Sequence, residues 1–87
     1  MAEFLVELYL ARPEGDRIAE VARTAADAVS RAGGPVRYVS SIFVPEDETF
    51  FLLYEANSLE DVRQAAARAG FEFERIALAH ATGAVKD

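Results

Sequence analysis

The side chains that could carry chemistry are few, and most of them lie in apolar segments. Glu7 interrupts the segment EFLVELYLA, and His80, the one histidine of the chain, lies in the segment RIALAHA. A desolvated carboxylate has a raised pKa that suits a general base, and an imidazole can transfer a proton or bind a metal ion. Together the two residues could act on a ligand, but each also has a structural interpretation.

Glu7 is a partner for an arginine across a dimer interface, for example Arg37, or lies at an edge of the interface that is open to water, or is the central carboxylate of a ligand cavity. His80 is either a surface histidine near a fraying C-terminus or part of an open sheet face. The second interpretation assumes that the small Ala77, Ala79 and Ala81 pack beneath the helices, which leaves His80 on the other side of its strand. Antiparallel pairing with the first strand would then make His80 a diagonal neighbour of Glu7.

Three hydroxyl groups on apolar strands form a second set of candidates: Tyr9, Ser41 and Tyr54. Such groups can orient a small ligand, because ligand pockets are mostly apolar with a few polar groups. Tyrosines are equally common at protein interfaces, where the ring is buried and the hydroxyl finds a partner. We assign these residues, with Glu7 and His80, to a candidate ligand-binding set and name no catalytic residue.

The acidic segment PEDE, residues 45–48, separates the apolar runs YVSSIFV and TFFLLYEA. Pro45 suits the second position of a type I turn. A calcium loop would need more oxygen ligands at set spacings and a glycine at its sharp bend. The segment is therefore predicted to be the turn of a hairpin and not a metal site.

Periodicity predicts the elements that position these residues. Apolar residues recur every three or four positions in two segments, which indicates two helices. The remaining apolar segments are predicted to be strands. The predicted helices are 16–32, with Asp16 as a cap, and 58–69, with Ser58 as the N-cap; the predicted strands are 3–11, 36–44, 49–56 and 71–81. This order predicts an α+β, ferredoxin-like βαββαβ sandwich with two helices on one face of an antiparallel sheet. We expect a single domain, 1–87, with 82–87 as a flexible tail.

Alternation along the first strand is expected to direct Phe4, Val6 and Leu8 toward the helices. The first and third strands are nevertheless apolar on both sides, as Leu5 and Phe51 illustrate. A sheet with one face in water should alternate between apolar and polar residues. A large exposed apolar face marks an interface, so the sequence predicts a homodimer paired through the open sheet face, as a dimeric α+β barrel.

Composition excludes several classes of protein. The net charge is −6 and Lys86 is the one lysine, so neither nucleic acid nor an anionic membrane surface is expected as a partner. The absence of cysteine excludes disulfides, thiolate metal sites and cysteine nucleophiles. Without a basic, apolar N-terminal leader or an apolar run of about 20 residues, a soluble cytoplasmic protein is expected.

The segments FLVE, YVSSIFVPEDETFFLLYEA and SLEDVRQAAARAG, the last followed by ERI, resemble a family of small bacterial proteins of undefined function. The family includes nickel-binding members and has a ferredoxin-like, dimer-forming fold; the resemblance covers Phe4 to about Ala79. It implies histidine on the second or third strand of nickel-binding relatives, where this sequence has Ser40 and Leu52. Because those strands lack histidine, we expect no cofactor, and nickel enters only through the resemblance.

Three classes of function remain. The sequence favours a homodimeric binding protein that holds a small molecule or a metal ion on the open face, because binding needs only shape and one or two polar groups. The alternatives are a cofactor-independent enzyme, similar to the monooxygenases, isomerases and cyclases of the dimeric α+β barrel type, and a purely structural interaction module. No nucleophile elbow, phosphate loop or nucleotide fingerprint is present.

Overall fold

A computed structural model of the chain describes residues 2–11, 15–32 and 35–80. Within these residues the elements follow the predicted order of strand, helix, strand, strand, helix and strand. Their bounds are β1 Ala2–Tyr9, α1 Gly15–Ala32, β2 Arg37–Val44, β3 Thr49–Ala56, α2 Leu59–Arg68 and β4 Phe73–Ala79. The segment 82–87, expected to be a flexible tail, lies outside the described residues.

The four strands form one antiparallel sheet in the order β2-β3-β1-β4. The connection through α1 leads from β1 past β3 to β2, and the connection through α2 leads from β3 past β1 to β4. Two crossovers of this kind, joined by the hairpin between β2 and β3, are the ferredoxin-like arrangement. The predicted α+β fold is confirmed.

The core lies between the helices and one face of the sheet. Alternation along β1 directs Phe4, Val6 and Leu8 to this face, as predicted, and all three are buried. The remaining core is built from apolar side chains of β3 and both helices: Phe50, Leu52, Tyr54, Ala56, Val21, Ala25, Val29, Val62, Ala65 and Ala66. Within the described residues, no helix packs on the second face of the sheet.

Local signals explain where the helices begin and end. The Ser58 side chain accepts a hydrogen bond of 3.2 Å from the backbone N–H of Asp61, so the predicted N-cap of α2 is confirmed. Gly70 follows α2 with φ of 81°, a conformation that glycine adopts without strain. The predicted cap Asp16 instead lies in the first turn of α1, because the helix begins one residue earlier at Gly15. Its carboxylate there still interacts favourably with the helix dipole.

Residues 45–48 form the hairpin turn that the sequence predicted. A single 3₁₀ turn, Pro45–Asp47, is followed by Glu48 in the left-handed conformation, and the Glu48 N–H donates to the Pro45 carbonyl at 3.1 Å. The Thr49 hydroxyl donates to the Asp47 carbonyl at 2.9 Å, which fixes the start of β3. The acidic side chains therefore occupy a tight turn.

Both outer strands of the sheet contain an irregularity. In β2, Val39 has no opposite residue, because Tyr38 pairs with Tyr54 and Ser40 with the adjacent Leu53. In β4, the register shifts between the partners of Glu7 and Leu8, which leaves Glu74 as the extra residue. Such bulges bend a strand and change which side chains share a face.

The expected orientation of β4 was wrong. Ala77 pairs with Leu5 and therefore faces the open side, whereas Ile76 pairs with Val6 and packs against the core. The larger Ile76 occupies the space beneath the helices, because it buries more apolar surface there than an alanine would. Leu78 shares the side of Ile76 but remains 60% exposed at the sheet edge.

Candidate functional site

The face of the sheet without helices carries an apolar centre between charged groups. Alternation along β1 directs Glu3, Leu5, Glu7 and Tyr9 to this open face. The open-face partners on β3 include Leu53 beside Leu5, and Phe51 beside Glu7. Ionic and apolar or aromatic side chains therefore alternate along β1 on this face, whereas the adjacent Phe51 and Leu53 make the centre of β3 apolar.

A shallow groove of about 250 Å³ runs across this surface, and we call it the open-face groove. It reaches from the outer strand β2 across β3 and β1 to the end of β4. Its lining is mostly apolar, with polar groups at either end: Leu5, Ser40, Ser41, Ile42, Phe51, Leu53, Ala79 and His80. Such a groove can hold a small molecule chiefly by removing apolar surface from water.

Glu7 is paired with an arginine of its own chain. Its Oε2 lies 2.9 Å from Nε of Arg75, the residue directly opposite on β4. The partner suggested by the sequence, Arg37, instead donates from Nε and an Nη atom to Oε1 of Glu55, at 2.9 and 2.7 Å. The carboxylate of Glu7 therefore has a cation beside it on the same face.

His80 reaches the open-face groove, but the reason given for it from the sequence was wrong. It follows Ala79, the last residue of β4, and lines the groove together with that alanine. It is not a neighbour of Glu7, because Ala79 pairs with Glu3 and Arg75 pairs with Glu7. This register separates the two candidates by at least about 13 Å along the strand, at about 3.3 Å per residue.

The three candidate hydroxyl groups do not converge. Tyr9, 58% exposed on the open face, donates from its hydroxyl to Oε1 of Glu48 at 2.9 Å. The Ser41 hydroxyl accepts a hydrogen bond of 3.0 Å from Tyr38, although Ser41 lines the open-face groove. Tyr54 lies on the opposite, helix-covered face.

Tyr54 is fully buried, and its hydroxyl has no hydrogen-bond partner among the described residues. Its ring lies edge-on to that of Tyr38, with centroids 6.0 Å apart. Burial raises the pKa of Tyr54 well above its ordinary value of 10.0, and the neighbouring Tyr38 adds to the shift. The residue is part of the core and does not reach the open-face groove.

Sequence reasoning missed Ser40 and Ile42 as groove residues. Strict alternation would put Tyr38 on the same face as Ser40, but the bulge at Val39 places them on opposite faces. The adjacent serines in YVSSIFV, which interrupt an otherwise apolar strand, are the one sequence signal of this irregularity. A bulge depends on pairing with another strand, so a single segment reveals it poorly.

No group of three or more histidine, cysteine, aspartate or glutamate side chains able to hold a metal ion occurs within residues 2–11, 15–32 and 35–80. The open-face groove offers His80 as its nitrogen donor, while Glu7 and Glu55 are occupied by arginines. Nickel sites in proteins favour several imidazole or other strong donors around one ion. The described residues of a single chain do not fit such a site.

In the part of the chain that the structure describes, neither helix has the length and apolar character needed to cross a bilayer.

Comparisons with known proteins identify a matching family and a solved structure with a similar fold. The family model described as "Nickel responsive protein SCO4226-like" matches residues 5–78. The crystal structure of SCO4226 from Streptomyces coelicolor A3(2) matches with a TM-score of 0.76, at 23% sequence identity, over 94% of this chain and 100% of that chain. No protein of curated function matches. The structural likeness concerns the fold.

Proposed function

Because the chain belongs to the SCO4226-like family, described as nickel responsive, we propose that it is a small homodimeric binding protein. Two copies pair through their open sheet faces and enclose the open-face groove. The observation that carries this proposal is the uncovered apolar surface around Leu5, Phe51 and Leu53, with a groove at its centre. A groove of this kind favours a binding role.

The size of the open face suits a second copy of the chain. It consists of four strands, three of them eight residues long. At about 4.8 Å between strands and about 3.3 Å per residue, it covers roughly 500 Å². Two faces together provide about 1,000 Å², the area at which a specific interface becomes plausible.

The exposed apolar side chains on this face also favour pairing. Ile42 is 64% exposed beside the half-buried Phe51, and the two lie directly opposite each other on β2 and β3. A second copy would remove both from water, and each partner would gain about 25 cal/mol per Å² of apolar surface. The charged groups of the face are largely paired within each chain, which limits electrostatic repulsion between two copies.

A binding role fits the arrangement better than catalysis does. An acid–base enzyme needs at least two ionisable groups that converge on one substrate. The two candidates, Glu7 and His80, lie at different ends of the β1–β4 pair, and Glu7 is engaged by Arg75. The open-face groove supplies shape and apolar surface, which suffice for binding.

The test is the oligomeric state of matched variants. Sedimentation velocity should show a dimer for the unmutated protein at micromolar concentration and a monomer for Phe51→Asp. Far-ultraviolet circular dichroism should show that the Phe51→Asp variant is still folded. Leu78→Asp is the control. Leu78 is also apolar and is 60% exposed, but it lies on the helix-covered face of the sheet, opposite Phe4. An unmutated monomer, or equal dissociation by both variants, would contradict the proposal.

A further inference from the structure

We infer that the ligand of the open-face groove is a neutral, mainly apolar organic molecule with one hydrogen-bonding group, and not a nickel ion. This inference rests on the proposed function, since it names the ligand class of the same site. It also departs from the description of the family, because the described residues of this chain do not provide the set of donor groups that a nickel ion requires.

The walls of the groove determine the apolar character of the ligand. Its floor consists of Leu5 and Leu53, which are directly paired neighbours on the central strands. Phe51 and Ile42, the next pair along the sheet, form one side. An ion placed among these groups would lose its hydration without gaining ligands, whereas an apolar ring would gain dispersion contacts and lose contact with water.

The charges near the groove argue for a neutral ligand. The adjacent row of the open face carries Glu3 and Glu55 on the two central strands. Arg37 neutralises Glu55 from the outer strand, at 2.7 Å, and the described residues that line the groove include no arginine. An anionic ligand would therefore find no cation among the described residues that line the groove, and the chain's net charge of −6 adds electrostatic repulsion.

Two polar groups are available to orient the ligand. Ser40 and His80 line the groove from β2 and from the end of β4, and neither side chain has a hydrogen-bond partner among the described residues. An imidazole and a hydroxyl can each donate or accept, so they match one hydroxyl or amide group on a ligand. One imidazole per chain suits this role better than it suits a transition metal.

The volume is consistent with an enclosed organic ligand once two copies pair. One groove measures about 250 Å³, which is small for a ligand site in a single chain. Two grooves that face each other across the dimer would together reach the range of about 300–1,000 Å³ that is typical of small-molecule pockets.

The test uses 2-naphthol, a neutral ring with one hydroxyl, and naphthalene-2-sulfonate, its anionic analogue. We expect the unmutated dimer to bind 2-naphthol saturably and the sulfonate at least about tenfold more weakly, because the described lining of the groove offers no cation and the chain's net charge is −6. His80→Ala should weaken 2-naphthol binding about 2- to 10-fold, the effect of one hydrogen bond. Calorimetry with Ni²⁺ on the untagged protein should show no stoichiometric site tighter than micromolar.

Ser40→Trp fills the groove and should abolish 2-naphthol binding, whereas Val39→Trp should leave it intact. The two positions are adjacent on β2, but Val39 is the bulged residue and does not line the groove. Because Ser40 lies on the proposed dimer face, sedimentation accompanies this comparison. Amide shifts of the unmutated protein with 2-naphthol provide a readout without a variant; they should concentrate at Leu5, Leu53 and Ala79.

The outcomes separate this inference from the proposed function. A stoichiometric, submicromolar Ni²⁺ isotherm that His80→Ala abolishes would overturn the inferred ligand class. A dimer that fails to bind 2-naphthol saturably, or shifts located elsewhere, would also overturn it while the pairing stands. If the protein is a monomer and the amide signals of its groove residues still shift with 2-naphthol, the inferred ligand class would be supported and the proposed homodimer would be contradicted.

Discussion

The two sides of β3 carry similar apolar residues at the centre of the strand but have different surroundings. On the helix-covered face, Phe50 and Leu52 are 1% and 0% exposed. Their chain neighbours on the open face, Phe51 and Leu53, are equally apolar but only half-buried. The difference teaches that β3 is apolar for two reasons: one side stabilises the monomer, and the other is available for a partner and a ligand.

The largest expected effect separates the adjacent phenylalanines. Phe50→Ala should lower the free energy of unfolding by about 3–5 kcal/mol, because it leaves a cavity in the core. Phe51→Ala should cost about 1–2 kcal/mol, mainly through lost pairing, so its effect should depend on protein concentration. Urea titrations at two protein concentrations measure both. Equal, concentration-independent losses would mean that the two faces do not differ in role.

A second comparison concerns tyrosines on opposite faces. Tyr54→Phe removes a buried hydroxyl without a partner among the described residues, so the free energy of unfolding should rise by about 1 kcal/mol at neutral pH. Tyr9→Phe removes an exposed hydroxyl that donates to Glu48, so the free energy of unfolding should fall by less than about 1 kcal/mol. Thermal unfolding of both variants gives the signs. A destabilised Tyr54→Phe would show that this hydroxyl is hydrogen-bonded in solution.

The raised pKa of Tyr54 extends this comparison to alkaline pH. The unfolded chain loses the tyrosine proton above pH 10.0, whereas the folded chain retains it, so the unfolded state binds fewer protons. The contribution of this protonation difference to the free energy of unfolding is therefore fully present below pH 10.0. Above pH 10.0 the free energy of unfolding decreases by up to about 1.4 kcal/mol per pH unit. Tyr54→Phe lacks this loss, so its advantage over the unmutated protein should widen.

The smallest expected effect lies within the open face. Glu7→Gln and Glu55→Gln each remove one member of an ion pair, and both glutamate side chains are 26% exposed. Each change should lower the free energy of unfolding by less than about 1 kcal/mol. Both variants should retain 2-naphthol binding. If only the Glu7→Gln variant loses 2-naphthol binding, Glu7 is part of the ligand site and the prediction is wrong.

The fold was predictable because its signals are local. Helical periodicity, the Ser58 cap and the turn at residues 45–48 each depend on residues close in sequence. Alternation on β1 also identified its buried side, because Glu7 marks the other side.

The candidate site was predictable only in part, because it depends on long-range pairing. The continuous apolar run of β3 concealed which side Tyr54 occupies, and the expected closeness of Glu7 and His80 failed on the register with β4. The Val39 bulge, which brings Ser40 to the groove, arises only when β2 pairs with β3. Homodimer formation and ligand binding stay predictions.

The bulges at Val39 and Glu74 have a consequence for how far association can proceed. Each lies on a strand whose outer edge would otherwise be a regular template for another strand. An extra residue twists such an edge and interrupts its row of hydrogen-bonding groups, and the charge of Glu74 adds a further penalty. The sheet is thereby protected against lateral extension into filaments, so an exposed apolar face can persist without open-ended growth.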